Sequence, residues 1–204
     1  WTAINTGTTT HLYDLIFTDA NTGFCIGNNG TVLKSTDGGM SWTGIYQNPG
    51  LSLQSIAMNS AGTLAIKGQK NSSQMFLMHS TDLGGSWQTD STTYTYLGGA
   101  DDRIQAAGTQ FFFIQGFDYA LMSGTPGSYQ EVRQQTYSFD FHTALAGYAL
   151  EDNLNAVLHT TDGGANWTQK PNNLTQAMLS NNQPLWGMKF PETTGVASFW
   201  HDYP

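Results

Sequence analysis

Short apolar runs separated by turn residues set the pattern of this chain. From residue 12 it reads LYDLIF, GFCIG, TVLKS and SWTGIY, with TDANT, NNG and TDGGM between them. Runs of this length, rich in β-branched and aromatic side chains and bounded by Gly, Asn, Asp and Ser, predict strands. They fall near 12–17, 23–27, 31–36 and 41–46. No helix longer than a turn or two is expected. No apolar run approaches the ~20 residues of a membrane-spanning helix, so no membrane insertion is expected either.

The same pattern returns. KSTDGGMSW at 34–42 is echoed by HSTDLGGSW at 79–87 and HTTDGGANW at 159–167. Asp82 follows Asp37 by 45 residues and Asp162 follows Asp82 by 80, about twice one repeat, so a degenerate copy is expected midway. Ser123 to Tyr129 fits that place, keeping a Ser, a glycine and an aromatic while losing the Asp and one residue of length. A second word lies upstream: Phe17 and Gly23 share an offset of six with Phe141 and Gly147. Weaker copies are read at Ile56–Gly62 and Ile104–Gly108, and a last one at Phe190–Gly195 with no box after it. Trp1-Thr-Ala-Ile4 resembles Trp42-Thr-Gly-Ile45, 41 residues later, so Trp1 reads as the closing Trp of an earlier box.

Units of about 40 residues with four strands each predict an all-β fold, a β-propeller, because radial packing of twisted sheets buries both faces of every blade. The whole of 1–204 reads as one propeller region with repeats at about 1–42, 43–87, 88–129, 130–167 and 168–204. That is four full blades and part of a fifth, both ends falling inside a repeat, as in a fragment of a larger ring.

Recurrence gives the boxes a structural meaning. A short Asp side chain accepts backbone N–H bonds in a turn, glycines supply positive φ, and the Trp plugs an apolar gap. Ser35, Asp37, Gly39 and Trp42, then Ser80, Asp82, Gly84 and Trp87, then Thr160, Asp162, Gly164 and Trp167 are therefore expected to be structural. Three like carboxylates on separate blades cannot act as an acid/base pair.

Composition narrows the function. Seven basic residues against fifteen acidic give a net charge of -8, which offers little to the phosphates of nucleic acid or anionic lipid. Cys25, between Phe24 and Ile26, reads as a packed strand thiol. His79 and His159 stand one residue before their boxes, where Lys34 and Met122 stand in the other repeats, and are expected on strand surfaces rather than around a metal. His11, His142 and His201 have no partner at ligand spacing, although His201 adjoins Asp202. No catalytic residue, metal or cofactor is expected. The carboxylates outside the boxes that stand as candidates for such chemistry are Asp14, Asp19, Asp101, Asp102, Asp118, Asp140, Glu151, Asp152 and Glu192. Phe111 to Phe113, with Phe117 and Tyr119, read as strand core that could otherwise line a groove. Sequons at Asn29, Asn71, Asn166 and Asn173 carry little weight in a chain this rich in Asn, Ser and Thr. A Lys-poor, Thr/Asn-rich acidic surface is common among exported bacterial proteins, so the chain is expected outside the cell, on its surface or in the periplasm.

The three boxes resemble the Asp-box, or BNR, motif S/T-x-D-x-G-x-x-W, and the longer repeat is similar to those of the photosystem II assembly and stability factor family. That resemblance implies the propeller and leaves function wide, since Asp-boxes also occur in sialidases, xyloglucanases and sortilin-like receptors. Two readings follow. One is a noncatalytic, secreted or cell-surface module that binds a protein or glycan partner. The alternative is part of a glycan-cleaving hydrolase. A sialidase-like site would need an arginine cluster, whereas the chain has only Arg103 and Arg133. A xyloglucanase-like one would need two opposed carboxylates drawn from those named above.

Overall fold

The computed structural model describes residues 3–71, 74–90, 103–116, 118–151 and 156–170, together with the backbone of 188–189 and 198–199. Its described elements are all strands. The first blade holds β1 (Leu12–Phe17), β2 (Gly23–Gly27), β3 (Val32–Ser35) and β4 (Thr43–Tyr46); the second holds β5 (Leu51–Met58), β6 (Leu64–Lys70), β7 (Gln74–Ser80) and β8 (Gln88–Asp90). The third holds β9 (Ile104–Ala107), β10 (Gln110–Gln115), β11 (Ala120–Thr125) and β12 (Ser128–Arg133), and the fourth β13 (Thr136–Phe141), β14 (Gly147–Glu151), β15 (Val157–Thr160) and β16 (Thr168–Lys170). A hairpin of β17 (Met188–Lys189) and β18 (Ser198–Phe199) follows.

Each blade is an antiparallel meander with its strands in chain order. The first strands β1, β5, β9, β13 and β17 lie next to one another in series, so they form the inner ring and the fourth strands the rim. This is a β-propeller. Middle strands are buried on both faces, as all five residues of β2 show, whereas the rim strand β4 is half exposed.

The core lies between blades. Phe24, Ile26 and Val32 of the first meet Leu53, Ile56, Leu64, Ile66 and Met78 of the second. Phe111 and Phe113 turn toward the second blade and Phe112 toward the fourth, where its ring stacks on Phe141 with centroids 3.7 Å apart. The period of a strand thus explains this aromatic run, each fully buried ring contributing roughly 1.5–3 kcal/mol. Phe117 lies outside the described residues, and Tyr119 sits in a turn against Tyr137, ring centroids 6.1 Å apart.

Register corrects three sequence readings. In the first blade Phe17, Gly23 and Ser35 lie abreast. In the second the counterparts of Phe17 and Gly23 are Met58 and Leu64, since Thr18 and Asn59 make the same loop hydrogen bond; Gly62 belongs to the turn, at φ 79. In the third, Ala107 pairs with Gln110 and the next residue, Phe111, pairs with Gly124, which puts Thr125, one residue further on, rather than Ser123 in the place of Ser35. No box exists there. Thr125 pairs with Ser128 across a two-residue Pro126–Gly127 turn, with Gly127 at φ 77, the geometry that Pro-Gly encodes. Met122 accordingly faces the core beside Phe111 instead of matching Lys34. The reading at Phe190–Gly195 lies outside the described residues.

Candidate functional site

The three boxes share one set of bonds. Ser35 Oγ donates to Asp37 Oδ1 at 2.8 Å and accepts from Gly39 N at 2.8 Å. Asp37 in turn accepts from Ser41 N at 2.9 Å and Ser41 Oγ at 2.6 Å. Ser80, Asp82, Gly84 and Ser86 repeat this, as do Thr160, Asp162, Gly164 and Asn166. The Asn166 sequon thus has a local use, its amide donating to Asp162 Oδ2 at 2.8 Å. These donors hold each box carboxyl at about 2; for Asp37 and Asp82 the serine hydroxyl four residues on acts most strongly, and for Asp162 the Asn166 amide. All three box aspartates are exposed, and their lone pairs are spent on the turn itself.

The indole N–H of Trp42 and Trp167 closes on the box glycine carbonyl at 3.1 and 2.9 Å. In the second box the Trp87 indole makes no such bond. There Leu83 occupies the place of Gly38 and Gly163 and takes the same left-handed conformation, at φ 52. Its carbonyl accepts a bond from Lys34 Nζ of the first blade at 2.7 Å.

Two of the box glycines form notches for the preceding blade. A Cβ on Gly84 would come within 2.7 Å of Ile45 Cδ1, and one on Gly164 within 2.9 Å of Val132 Cβ. At the seam between the second and third blades the rim residue is Asp90, three beyond its box Trp as Ile45 is. Its carboxylate is buried, and Oδ1 lies 3.0 Å from Nδ1 of His79. His79 is therefore not on the strand surface. Burial pushes the Asp90 carboxyl above its ordinary value, against the pull of His79 and, more weakly, of the Gly127 N–H and the Tyr129 hydroxyl of the third blade. Sequence reasoning missed this cluster, although an Asp at the position of Ile45 was a visible signal.

The carboxylates outside the boxes are largely committed. Asp14 Oδ2 accepts from Ser55 Oγ at 3.2 Å and Ile56 N at 2.9 Å, stitching β1 to β5. Asp19 caps its loop through Asn21 N and Thr22 N at 2.7 and 2.8 Å, which lowers its pKa. Asp140 is buried and accepts from Gln105 Nε2 at 2.8 Å, and Glu151 pairs with Arg133. Asp118 lies in the turn before β11, its carbonyl accepting from Gln135 N. Asp101, Asp102, Asp152, Glu192, His201, Asp202 and Asn173 lie outside the described residues.

Arginines and histidines follow suit. Arg103 donates to the Phe139 carbonyl at 2.8 Å, and Arg133 lies over the Trp167 ring at 5.9 Å, so the two serve different contacts. His142 and His159 flank the Tyr148 ring, with centroids 5.9 and 4.6 Å away. Burial, then Lys170 and His142, lower the His159 pKa. Cys25 is buried, and burial pushes its thiol up. Among the described residues no three His, Cys, Asp or Glu side chains come together as metal ligands. An open groove of ≈ 690 Å³ runs between residues 6–8 and β4, lined by Thr6, Thr8, Trp42, Thr43, Tyr46 and Gln47 among others, none of them charged.

Comparison with known proteins bears on this arrangement. The family described as Photosynthesis system II assembly factor YCF48 matches residues 1–114. Among solved structures the chain is similar to YCF48 bound to D1 peptide, at 20% identity and a TM-score of 0.66, covering 98% of this chain and 63% of that one. YCF48 from Cyanidioschyzon merolae gives 16% identity, a TM-score of 0.61 and coverage of 92% and 62%. A GH74 enzyme of Niastella koreensis gives 15%, 0.56, and 74% and 28%. At these identities the likeness is one of fold, and the chain spans about three fifths of the length of the two YCF48 structures. No curated protein matches its sequence.

Proposed function

Because this chain belongs to the Photosynthesis system II assembly factor YCF48 family, we propose that it is a noncatalytic module that binds a protein partner. The observation that carries this reading is the commitment of Asp14, Asp19, Asp140 and Glu151 to holding strands, loops and arginines in place. A glycosidase needs two carboxyl groups free to face a substrate. The neighbouring structure solved with a bound peptide supports a peptide segment as the ligand.

The charge of the chain selects among such segments. With a net charge of -8, and with Lys34, Arg103 and Arg133 drawn into scaffold contacts, the surface favours a neutral or basic segment over an acidic one. We place that segment in the uncharged groove beside β4, whose rim edge is open to main-chain hydrogen bonds and whose Trp42 and Tyr46 supply aromatic contact. Calorimetry against an array of neutral, basic and acidic peptides should give saturable binding for the first two classes. Thr43→Lys, at an exposed position, should weaken binding of basic peptides most. Release of reducing sugar from a polysaccharide panel, with no peptide bound, would overturn the reading in favour of a hydrolase.

On composition we further propose that the protein works outside the cytoplasm, as an exported or surface protein. Recovery of the native protein solely in the cytoplasmic fraction of its host would refute that.

A further inference from the structure

The box glycines of the second and fourth blades are each walled by a rim residue of the blade before, Ile45 at Gly84 and Val132 at Gly164. At Gly39 of the first blade the nearest groups to such a Cβ are Phe17 at 3.1 Å and Trp42 at 3.7 Å, both from its own blade. That notch is built and holds no rim residue. We propose that it is the seat of Ile4, and that the open face of the first blade is a seam, closed by a further blade of the same polypeptide whose rim strand carries Ile4.

The face is made like those that are already covered. Along β1, Asp14 and Ile16 turn to the second blade, whereas Tyr13, Leu15 and Phe17 turn away from it and are 52%, 52% and 42% exposed. A row of apolar side chains bared on one strand face marks an interaction surface. In the second and fourth blades the place of Leu15 is held by Ile56 and Phe139, both buried against the blade before. Phe17 meets Trp42 edge to face with centroids 6.1 Å apart, and Phe141 meets Trp167 in the same way at 6.1 Å in the fourth blade. There the likeness stops. Phe141 is buried under Phe112 of the third blade, whereas among the described residues no ring stacks on Phe17.

The chain itself names the occupant. Ile4 follows Trp1 by three residues, as Ile45 follows Trp42, so the first four residues carry the pattern of a rim strand. Ile4 is 42% exposed and lies no nearer than 4.0 Å to a Cβ on Gly39. Residues 5–11 join it to β1, and residues 46–50 make the equivalent span from Ile45 to β5. Seven residues reach wherever five do. A tether this short gives Ile4 a high effective concentration at its own first blade, which favours the same polypeptide over a second copy. Such a seam uses the face of the first sheet and leaves the outer edge of β4 unpaired, so the peptide reading of that edge stands apart from it.

Thiol labelling of the natural full-length protein tests the seam. Cys25 is first replaced by Ala, the residue that Ala149 supplies at its place in the fourth blade. In that background Leu15→Cys should label as slowly as Ile56→Cys, and roughly tenfold or more below Leu145→Cys on its exposed loop. Ile4→Asp should raise the Leu15→Cys rate toward that of Leu145→Cys and leave Ile56→Cys unchanged. Should Leu15→Cys fail to fold, Tyr13→Cys on the same face decides. Labelling of the face at the Leu145→Cys rate would overturn the proposal. So would protection that survives Ile4→Asp, or protection that appears only as protein concentration rises, the mark of a second copy.

Discussion

The first seam and the second are built from the same four-stranded blades and closed by opposite chemistry. Ile45 reaches from the rim of the first blade into a notch that exists because Gly84 has no side chain, and Lys34 fastens the seam from outside through the Leu83 carbonyl. At the second seam the next blade has no box, the Pro126–Gly127 hairpin forms no notch, and Asp90 and His79 occupy the places of Ile45 and Lys34. An aliphatic rim residue and a glycine notch are thus one unit. Where the box is lost the aliphatic residue goes with it, and a polar contact takes over.

The largest test of that pairing is to fill a notch. Gly164→Ala places a methyl 2.9 Å from Val132 Cβ in a left-handed backbone at φ 98, so overpacking adds to conformational strain. A loss of about 2–4 kcal/mol is expected by chemical denaturation. Gly127→Ala has the same sign of φ but open space around it, so strain alone should cost it about 1 kcal/mol. Equal losses would show that the notch does not pack the seam.

Legibility in the sequence followed the same division. The strands of the first blade were readable almost to the residue, because their apolar runs and turn glycines are local signals. The box turn was readable as a local motif because its bonds run between residues at most four apart. The third blade was misregistered because its Pro-Gly turn is shorter than a box, and counting from Tyr129 hid the deletion. The middle seam could not be read at all. It joins His79 and Asp90 to a tyrosine about forty residues on, and only the arrangement of blades brings them together.

A smaller effect sharpens the first seam. Leu83 holds a left-handed conformation that Gly38 and Gly163 adopt without a Cβ penalty. Its side chain is 41% exposed and the bond from Lys34 goes to its carbonyl, so neither depends on the leucine. Leu83→Gly should raise stability by up to about 1 kcal/mol in urea denaturation. A loss of similar size would mean that the leucine packs usefully against the first blade.

The smallest effect per residue separates box from seam by pH. Each box carboxyl titrates at about 2 in the fold against an ordinary 3.8, held down by the hydroxyl or amide four residues on, by its backbone N–H and by the Ser or Thr two residues before. A depressed folded pKa gives stability that is present above the unfolded value and lost as pH falls through the folded one, here from about 4 toward about 2. Asp90 is displaced the other way, so its seam weakens as pH rises and acts on the opposite side of 3.8. Because the boxes are exposed, salt should shrink their share. Urea midpoints measured from pH 2 to 6 should therefore fall on the acid side for the natural sequence. Asp162→Asn keeps one acceptor oxygen and removes the charge, and it should make that fall shallower by the share of a single box. Asp90→Asn should leave the acid side unchanged and flatten only the response above pH 4. An acid fall as steep in Asp162→Asn as in the natural sequence would show that the box bonds do not stabilise the ionised carboxylate, and with it the distinction between a carboxylate that holds a turn and one that holds a seam would fail.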